Sequence, residues 1–293
     1  MRLDIYLVNH FNLTRKQAKR LLDQGKIKVE GRKVVIASWE VERKAKVEVL
    51  KEVTPPKADG YYLKVLLEDK DILVVEKEAG IPCETSSIST VPTMVAIINE
   101  YLKRSASHIK HHYVGLIHRL DRDTSGIMVY SKTKEGNKVA DQFKRHTIKR
   151  KYFVLVAGQV SDEQGKIEGF IEKSPLLKGG QKVKTATPEA GRFASTEFRV
   201  LERYPHATLL EVKINTGRTH QIRLHLGSIG HPVVGDKIYG KKGAINCAPT
   251  FPRQALHACY LKFHHPLTGE PLEFVSELPK DMRKLVDRLR LSV

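Results

Sequence analysis

Apolar and polar residues near the start of the chain follow the spacing of one short helix and several strands. Thr14 is a suitable N-cap for a helix over Arg15–Gln24, and a glycine follows to end it. The alternating runs Lys26–Val29 and Lys33–Ile36 predict a hairpin, and residues 41–50 alternate well enough for another strand. The pattern therefore predicts a small α/β domain.

Two prolines and a glycine then interrupt the pattern and prevent a continuing helix. We predict a small N-terminal domain over residues 1–50, a linker over residues 51–60 and a larger domain over residues 61–293. The larger domain alternates strand-like runs with helical stretches and has no internal repeat. Its β-rich runs are Leu66–Val75, which predicts strand, turn and strand, together with Val129–Ser131, Tyr152–Val156 and Thr208–Ile214.

The distribution of charge indicates a class of partner. The 293 residues include 51 Lys and Arg against 33 Asp and Glu, a net charge of +18. Residues 1–58 carry a net +7 and residues 101–151 a net +9, so the excess is concentrated in two patches. Concentrated positive charge attracts polyanions. Binding to an anionic membrane usually also requires bulky apolar residues beside the charges, so nucleic acid is favoured as the partner.

The predicted N-terminal helix contributes to the first patch. At 100° per residue its basic side chains fall within an arc of about 140°, opposite Ala18, Leu21 and Leu22. A solvated charged face is the alternative, but like charges four residues apart repel one another unless an anion relieves them. We therefore predict a phosphate-binding face formed by Arg15, Lys16, Lys19 and Arg20.

Composition excludes several classes of protein. With 41% hydrophobic and 29% charged residues, the chain can fold around a core. Its cysteines, Cys83, Cys247 and Cys259, form no C-x-x-C pair, which suits buried thiols in a reducing cytosol. No apolar run approaches the roughly 18 residues that span a bilayer, and Met1–Asp4 lacks the apolar stretch of a signal peptide. We expect a soluble cytoplasmic protein without membrane contact.

Residues 117–126 form the densest polar cluster, in which Asp121 lies near Arg119 and Arg122. Neighbouring positive charge favours an ionised carboxylate, which can act as a nucleophile. A turn in which the aspartate caps its own loop or pairs with a neighbouring arginine is the structural alternative. Metal binding through Asp121 and Asp123 is disfavoured because no third acidic ligand follows and the arginines oppose a cation.

Two later segments favour the functional interpretation. Tyr152 directly follows three cations at the head of a predicted strand, where its ring can stack on a base. Residues 216–225 gather two arginines, two histidines, a glutamine and two threonines where a strand gives way to a predicted helix. So polar a segment predicts a site that meets an anion or orients a carboxylate.

The N-terminal residues resemble the S-four RNA-binding domain. The resemblance lies in Arg2-Leu-Asp-x-Tyr-Leu7, Thr14-Arg15-x-x-Ala18 and Gly25-x-Ile27-x-Val29-x-Gly31.

The larger part of the chain resembles the RluA family of RNA pseudouridine synthases. This sequence departs from the family pattern at two places: Glu78 stands where proline is usual, and Cys83-Glu84 stands where Val-His is common. Both departures affect the expected conformation of one loop more than the expected activity. The matching motifs are His118-Arg-Leu-Asp-x-x-Thr-Ser-Gly126, Lys151-Tyr152, Thr216-Gly-Arg-Thr-His-Gln-Ile-Arg-x-His225, Gly230-His-Pro-x-x-Gly-Asp236 and Arg253-Gln-x-Leu-His-Ala258, followed by His265-Pro266.

This resemblance implies roles for individual residues. Asp121 would be the nucleophile that detaches a uracil from its ribose, and Arg223 would pair with it. Tyr152 would stack on the target base, and its phenol is a candidate base for the ribose 2′ proton. Arg119 would replace the everted uridine in the RNA stack. The remaining RNA-binding candidates of this domain are Arg218 and His220.

The resemblance also implies fold and function. It implies an α+β protein whose catalytic domain has a mixed, mainly antiparallel sheet with flanking helices. We expect a monomer that isomerises uridine to pseudouridine in structured RNA, without metal or cofactor because substrate and product are isomers. Large-subunit ribosomal RNA is favoured over transfer RNA because relatives with the extra domain often act there. The alternatives are a synthase acting on transfer RNA, a non-catalytic RNA-binding or ribosome-assembly factor, and a metal-dependent nuclease.

Overall fold

The computed structural model describes residues 1–11, 14–23, 25–42, 45–49, 58, 60–84, 91–105, 112–175, 181–240 and 249–291. The chain divides into two compact units, Met1–Thr54 and Pro55–Val293. The predicted linker over residues 51–60 lies outside the described residues except for Ala58 and Gly60, and Cys247 also lies outside them. Within the described ranges, no helix has both the length and the apolar character that crossing a membrane requires.

The first unit combines two helices with a three-stranded antiparallel sheet. Its elements are α1 (Leu3–Phe11), α2 (Arg15–Asp23), β1 (Ile27–Val29), β2 (Arg32–Val34) and β3 (Val47–Val49). The strand order is β2-β1-β3. Apolar residues from both helices and all three strands form one core.

Local signals explain the helix and the hairpin of this unit. Thr14 Oγ1 accepts a hydrogen bond from the Gln17 N–H at 3.2 Å, and Gln17 Oε1 accepts one from the Thr14 N–H at 2.8 Å. This reciprocal cap starts α2 at the predicted residue. Between β1 and β2, Glu30 and Gly31 have φ of 48° and 75°, the left-handed pair that a two-residue hairpin turn needs.

The third strand is shorter than predicted. The Ala45 N–H donates to the Glu42 carbonyl at 3.0 Å, and Ala45 is not part of a strand. Among the described residues of the predicted run over residues 41–50, Val47–Val49 alone pairs with β1.

The second unit is built on a mixed sheet. Its elements are β4 (Lys64–Glu68), β5 (Ile72–Lys77), α3 (Met94–Ser105), β6 (Gly115–Leu116), β7 (Ser125–Ser131), α4 (Val139–Lys144), β8 (Lys149–Ala157), β9 (Gln164–Pro175), β10 (Gln181–Ala186), β11 (Arg192–Tyr204), β12 (Ala207–Ile214), α5 (Gln221–Ser228), β13 (Leu256–His264), β14 (Pro271–Val275) and α6 (Lys280–Arg290). The strand order is β10-β9-β11-β12-β8-β13-β7-β5-β4, with β14 beside β13 and β6 beside β7. Only the β7–β13 pair is parallel among the described strands. The predicted α+β class is confirmed.

The strands β5 and β7 are buried on both faces. Alternate residues belong to different apolar clusters, because successive side chains of a strand point to opposite faces. One cluster contains residues of α3 and α6, and the other contains Val139 of α4. The side chains divide into Leu73, Val75, Met128 and Tyr130 on the first face and Ile72, Val74, Ile127 and Val129 on the second. This double packing fixes β7 and therefore the end of the loop that precedes it.

The parallel pair brings distant segments together. Ser125 and Gly126 of β7 pair with His257 and Ala258 of β13. At Gly126, φ is 124° and an added Cβ would lie 2.3 Å from the Ala258 carbonyl oxygen. Only glycine permits this approach. The close contact positions the end of the loop over residues 117–124.

Candidate active site

A cleft of about 1300 Å³ opens in the second unit. All the residues of this unit that the sequence predicted as site residues line it, although they come from separate segments of the chain. They are Arg119, Asp121, Tyr152, Arg218, His220 and Arg223.

Asp121 lies in the loop between β6 and β7, and its side chain is 23% exposed. Neither neighbouring arginine pairs with it, as the structural alternative required. Arg122 pairs with Asp123 at 3.0 Å, and Arg119 lies 3.4 Å from Glu84. Adjacent residues in this loop point in different directions, so the cation that contacts Asp121 comes from elsewhere.

That cation is Arg223 of α5, which is 102 residues distant in sequence. Its Nη1 donates to Asp121 Oδ2 at 2.8 Å, so the contact predicted from the resemblance is present. Its other edge donates to Asp236, from Nε at 2.6 Å and from Nη2 at 2.9 Å. The planar guanidinium thus bridges two carboxylates, and the fork on Asp236 fixes the direction in which Nη1 points.

Asp236 was not predicted as a site residue. Its side chain is fully buried, and the Ile238 and Tyr239 N–H groups also donate to its Oδ1. Burial by itself would raise the pKa of Asp236, but the hydrogen bonds and charge of Arg223 hold it below its usual value. Burial likewise acts to lower the pKa of Arg223, and Asp236 and Asp121 outweigh it and raise the pKa. The Gly-Asp motif at 235–236 was the only signal in the sequence, and it indicated no partner.

His220 completes the surroundings of the Asp121 carboxylate. Its Nε2 lies 3.8 Å from Asp121 Oδ1, which is beyond hydrogen-bond distance. Its Nδ1 lies 3.0 Å from the Tyr239 hydroxyl, which already accepts the Val183 N–H. The hydroxyl has one hydrogen, which it can donate to Nδ1; in that tautomer the ring proton is on Nε2, facing Asp121. Burial lowers the pKa of His220, so the ring is neutral at neutral pH.

Tyr152 belongs to β8, and its side chain is buried at the cleft wall. Burial raises the pKa of its phenol, so the hydroxyl keeps its proton at neutral pH. A fixed aromatic ring with a neutral hydroxyl can stack on a flat, uncharged group.

Arg218 lies at the cleft beside β11. Its Nε donates to the Phe193 carbonyl at 2.9 Å. Burial and the neighbouring charge of Arg192 lower its pKa, as expected for a guanidinium next to another cation. An anion in the cleft would relieve this repulsion.

Several other polar residues of the segment over 216–225 serve local structure. Thr216 Oγ1 donates to Gln221 Oε1 at 2.7 Å and accepts the Ser195 N–H at 3.1 Å. The Gln221 amide donates to the Ser195 carbonyl, and the His225 ring contacts Thr196 Oγ1 at 2.9 Å. These contacts join α5 to β11, so these residues do not form the predicted anion-binding or carboxylate-orienting site, whereas Arg223 contacts the Asp121 carboxylate.

Buried cations also hold the backbone of the Asp121 loop. Lys77 Nζ donates to the carbonyls of Glu78, Ile81 and Arg122, each at 2.8 Å. Arg253 Nη1 donates to the Asp123 carbonyl at 3.2 Å. The sequence did not predict these contacts, because a bond to a distant backbone carbonyl leaves no pattern in the residue types.

The remaining predicted residues lie in the first unit. Arg15, Lys16 and Lys19 are exposed on α2, while Ala18 and Leu22 are buried. The side chain of Arg20 lies outside the described residues. Over the described ranges, no cluster of three or more His, Cys, Asp or Glu side chains suited to a metal ion is found.

Two protein-family models match separate parts of the chain. Residues 71–228 match the protein-family model for RNA pseudouridylate synthase, and residues 1–47 match that for the S4 domain. A ribosomal large subunit pseudouridine synthase D of Nitrosomonas europaea is 36% identical over 80% of this chain and 67% of its own length. An RNA pseudouridine synthase of Bacillus subtilis, described as uncharacterized, is 34% identical over 99% of this chain and 94% of its own.

A solved structure has a similar fold. It is the human RNA Pseudouridylate Synthase Domain Containing 4, with a TM-score of 0.63 and 23% sequence identity over 78% of this chain and 93% of that one.

Proposed function

Since the chain belongs to the family of RNA pseudouridylate synthases and is an enzyme that isomerises uridine to pseudouridine in RNA, we propose that its substrate is the RNA of the large ribosomal subunit. The Nitrosomonas europaea relative is named for that subunit. The S4 domain at the N-terminus supplies a second, basic RNA-binding unit. A structured RNA that extends beyond the cleft would use both units.

Asp121 is proposed as the nucleophile, and the observation that carries this proposal is its contact with Arg223 in the cleft. The N1–C1′ bond of uridine breaks with its electron pair going to the uracil, and a carboxylate oxygen forms a bond to C1′. After the base turns, C5 bonds to C1′ and the carboxylate leaves. The C5 proton then passes to water and N1 takes up a proton, so the product is an isomer of the substrate. Arg223 contacts Oδ2 and shares its charge with Asp236, so Oδ1 is available for attack.

Tyr152 is proposed to stack on the target uracil. Its buried position in the cleft wall and its protonated phenol support this role. The raised pKa argues against the second role that the resemblance implied, because a general base works best with a pKa near the working pH.

Arg119 is proposed to take the place of the everted uridine in the RNA stack. Its side chain is 48% exposed, and its contact with Glu84 is a long surface pair of 3.4 Å. Such pairs contribute little stability, so the guanidinium can leave Glu84 and enter the RNA. Arg218 and His220 are proposed to contact the RNA at the cleft.

The exposed cations of α2, together with Arg20, are proposed to bind RNA phosphates. Their spacing along one face supports sequence-independent contact with a backbone. We further propose that the protein acts as a monomer, since all the residues proposed for catalysis come from one chain, and in the cytoplasm, where its buried thiols stay reduced.

Chemical mapping of pseudouridine in total RNA tests the proposed substrate. Cells that lack the gene should lose pseudouridine at one or more positions of large-subunit ribosomal RNA, and the wild-type gene should restore them. Losses confined to transfer RNA would contradict the substrate, and unchanged RNA would contradict the function. RNA shortened by the purified protein and protected by a chelator would indicate a nuclease instead.

A further inference from the structure

Arg150 is a cation in the cleft that the proposed mechanism has not used. It lies on β8 two residues before Tyr152, so both side chains are on the same face of the strand. Both line the cleft, and Arg150 is half-buried.

The contacts of this guanidinium among the described residues carry no negative charge. Its Nη2 donates to the Thr216 carbonyl at 3.4 Å, and its central carbon lies 5.2 Å from the centre of the Phe143 ring. Its buried Nε has no hydrogen-bond partner within the described ranges. A charge that is partly removed from water is stabilised by a partner of opposite charge, so this arrangement is suited to an anion that arrives during the reaction.

Gly217 leaves space beside the guanidinium. An added Cβ at this position would lie 3.1 Å from Arg150 Nη1, closer than side chains ordinarily pack. The charge of Arg150 also reaches Tyr152: burial raises the pKa of that phenol, and Arg150 acts in the opposite direction. The same charge would act on a base stacked against the ring.

We propose that Arg150 binds the detached uracil and stabilises the negative charge that it carries between bond cleavage and bond formation. This inference rests on the proposed function. Uridine is neutral, and its ring becomes anionic only when N1 takes the electron pair of the broken N1–C1′ bond. A fixed cation at that position interacts more strongly with the transition state than with the substrate, so it raises kcat.

The position of Arg150 favours the base over an RNA phosphate. Lys144 and His146 also line the cleft, but their side chains are exposed, as suits contact with a backbone. Arg150 is held by Phe143 and Thr216 on the strand face that carries Tyr152.

The test uses the full chain and a transcript containing the mapped target uridine, made with uridine or with 5-fluorouridine at that position. Fluorine stabilises a uracil anion, so it lessens the need for a cation. In Arg150→Gln, single-turnover formation of the C5–C1′ bond should fall about 10²–10³-fold with uridine and markedly less with 5-fluorouridine, whose C5 keeps its fluorine. RNA affinity should stay within a few-fold, and Arg150→Lys should recover part of the rate. Lys149→Gln is the matched control, because Lys149 is exposed on the opposite face of β8.

Other outcomes would overturn the inference. Equal losses with both bases would indicate a structural role. Weakened RNA binding with an unchanged maximal rate and a flatter salt dependence would indicate a phosphate contact. Full activity of Arg150→Gln beside an active wild type would refute this role alone, whereas an inactive wild type would refute the proposed function itself.

Discussion

Replacing Asp236 by asparagine is expected to weaken both the fold and the active site. Asp236 is fully buried and accepts the fork of Arg223 at 2.6 and 2.9 Å, together with two backbone N–H groups. Asparagine has almost the same shape, but it is neutral and turns an NH₂ group towards a guanidinium. Arg223 would then be a buried cation with Asp121 as its remaining carboxylate partner among the described contacts.

The size of the effect follows from the burial of the pair. Removing one partner of a buried ion pair costs about 3–5 kcal/mol. Because Asp121 still contacts Arg223, we expect the lower end, about 3 kcal/mol. The guanidinium also loses the contacts that direct it to Asp121, and a displacement of about 1 Å can cost about 10²-fold in rate.

Urea unfolding at pH 7 and single-turnover kinetics measure these effects. The matched control is Glu202→Gln, which removes a carboxylate from a surface fork with Arg290 and should cost less than about 1 kcal/mol. The folded-state pKa of Asp236 is lowered, so its contribution is complete above the ordinary aspartate value of 3.8 and is lost as the pH falls below it. The difference in the free energy of unfolding between wild type and Asp236→Asn should therefore become smaller as the pH falls below 3.8. A cost below about 1 kcal/mol at pH 7, or an unchanged rate, would refute this reasoning.

Two further predictions concern buried positions of the sheet, and a third concerns the basic face of α2. Burial lowers the pKa of His257 from 6.5 to about 4. The free energy of unfolding of the wild type should therefore fall by about 3 kcal/mol as the pH is lowered from 6.5 to about 4. Urea unfolding of His257→Gln should show a smaller change of this free energy over the same pH range. Gly126→Ala should cost about 2 kcal/mol or more because its Cβ would meet β13 at 2.3 Å, whereas Gly169→Ala, with open space around its Cβ, is the tolerated control in thermal unfolding. Neutralising Lys16 and Lys19 should weaken RNA binding and reduce the slope of log K against log salt concentration by roughly 0.7–0.9 per lost phosphate contact. An unchanged slope would show that this face of α2 does not bind RNA phosphates.

The sequence predicted elements whose signals are local. The start of α2 depends on Thr14 and Gln17, which are three residues apart, and the β1–β2 turn depends on two adjacent residues. The predicted strand over residues 41–50 is shorter among the described residues, where the Ala45 N–H bonds to the Glu42 carbonyl and not to a neighbouring strand. Nothing in the alternation of side chains marks that hydrogen bond.

Contacts between distant segments were accessible only through resemblance to a family, or not at all. The flanking arginines indicated a cationic environment for Asp121, but Arg223 as its partner came only from the resemblance. The role of Asp236 depends on a turn over residues 233–236 that follows α5, and that of Arg150 depends on the neighbours of β8, so neither could be derived from spacing. Polarity alone also overstated the segment over 216–225, because a buried hydrogen-bond network and a binding site use the same residue types.

Release of tritium from RNA labelled at uracil C5 tests most directly whether Asp121 performs the reaction. Asp121→Asn keeps the size of the side chain and removes its negative charge, while Asp123→Asn makes the same change two residues later in a side chain that pairs with Arg122. We expect no release from Asp121→Asn, RNA affinity within a few-fold of wild type, and clear release from Asp123→Asn. Undiminished release from Asp121→Asn would show that this carboxylate is not the nucleophile.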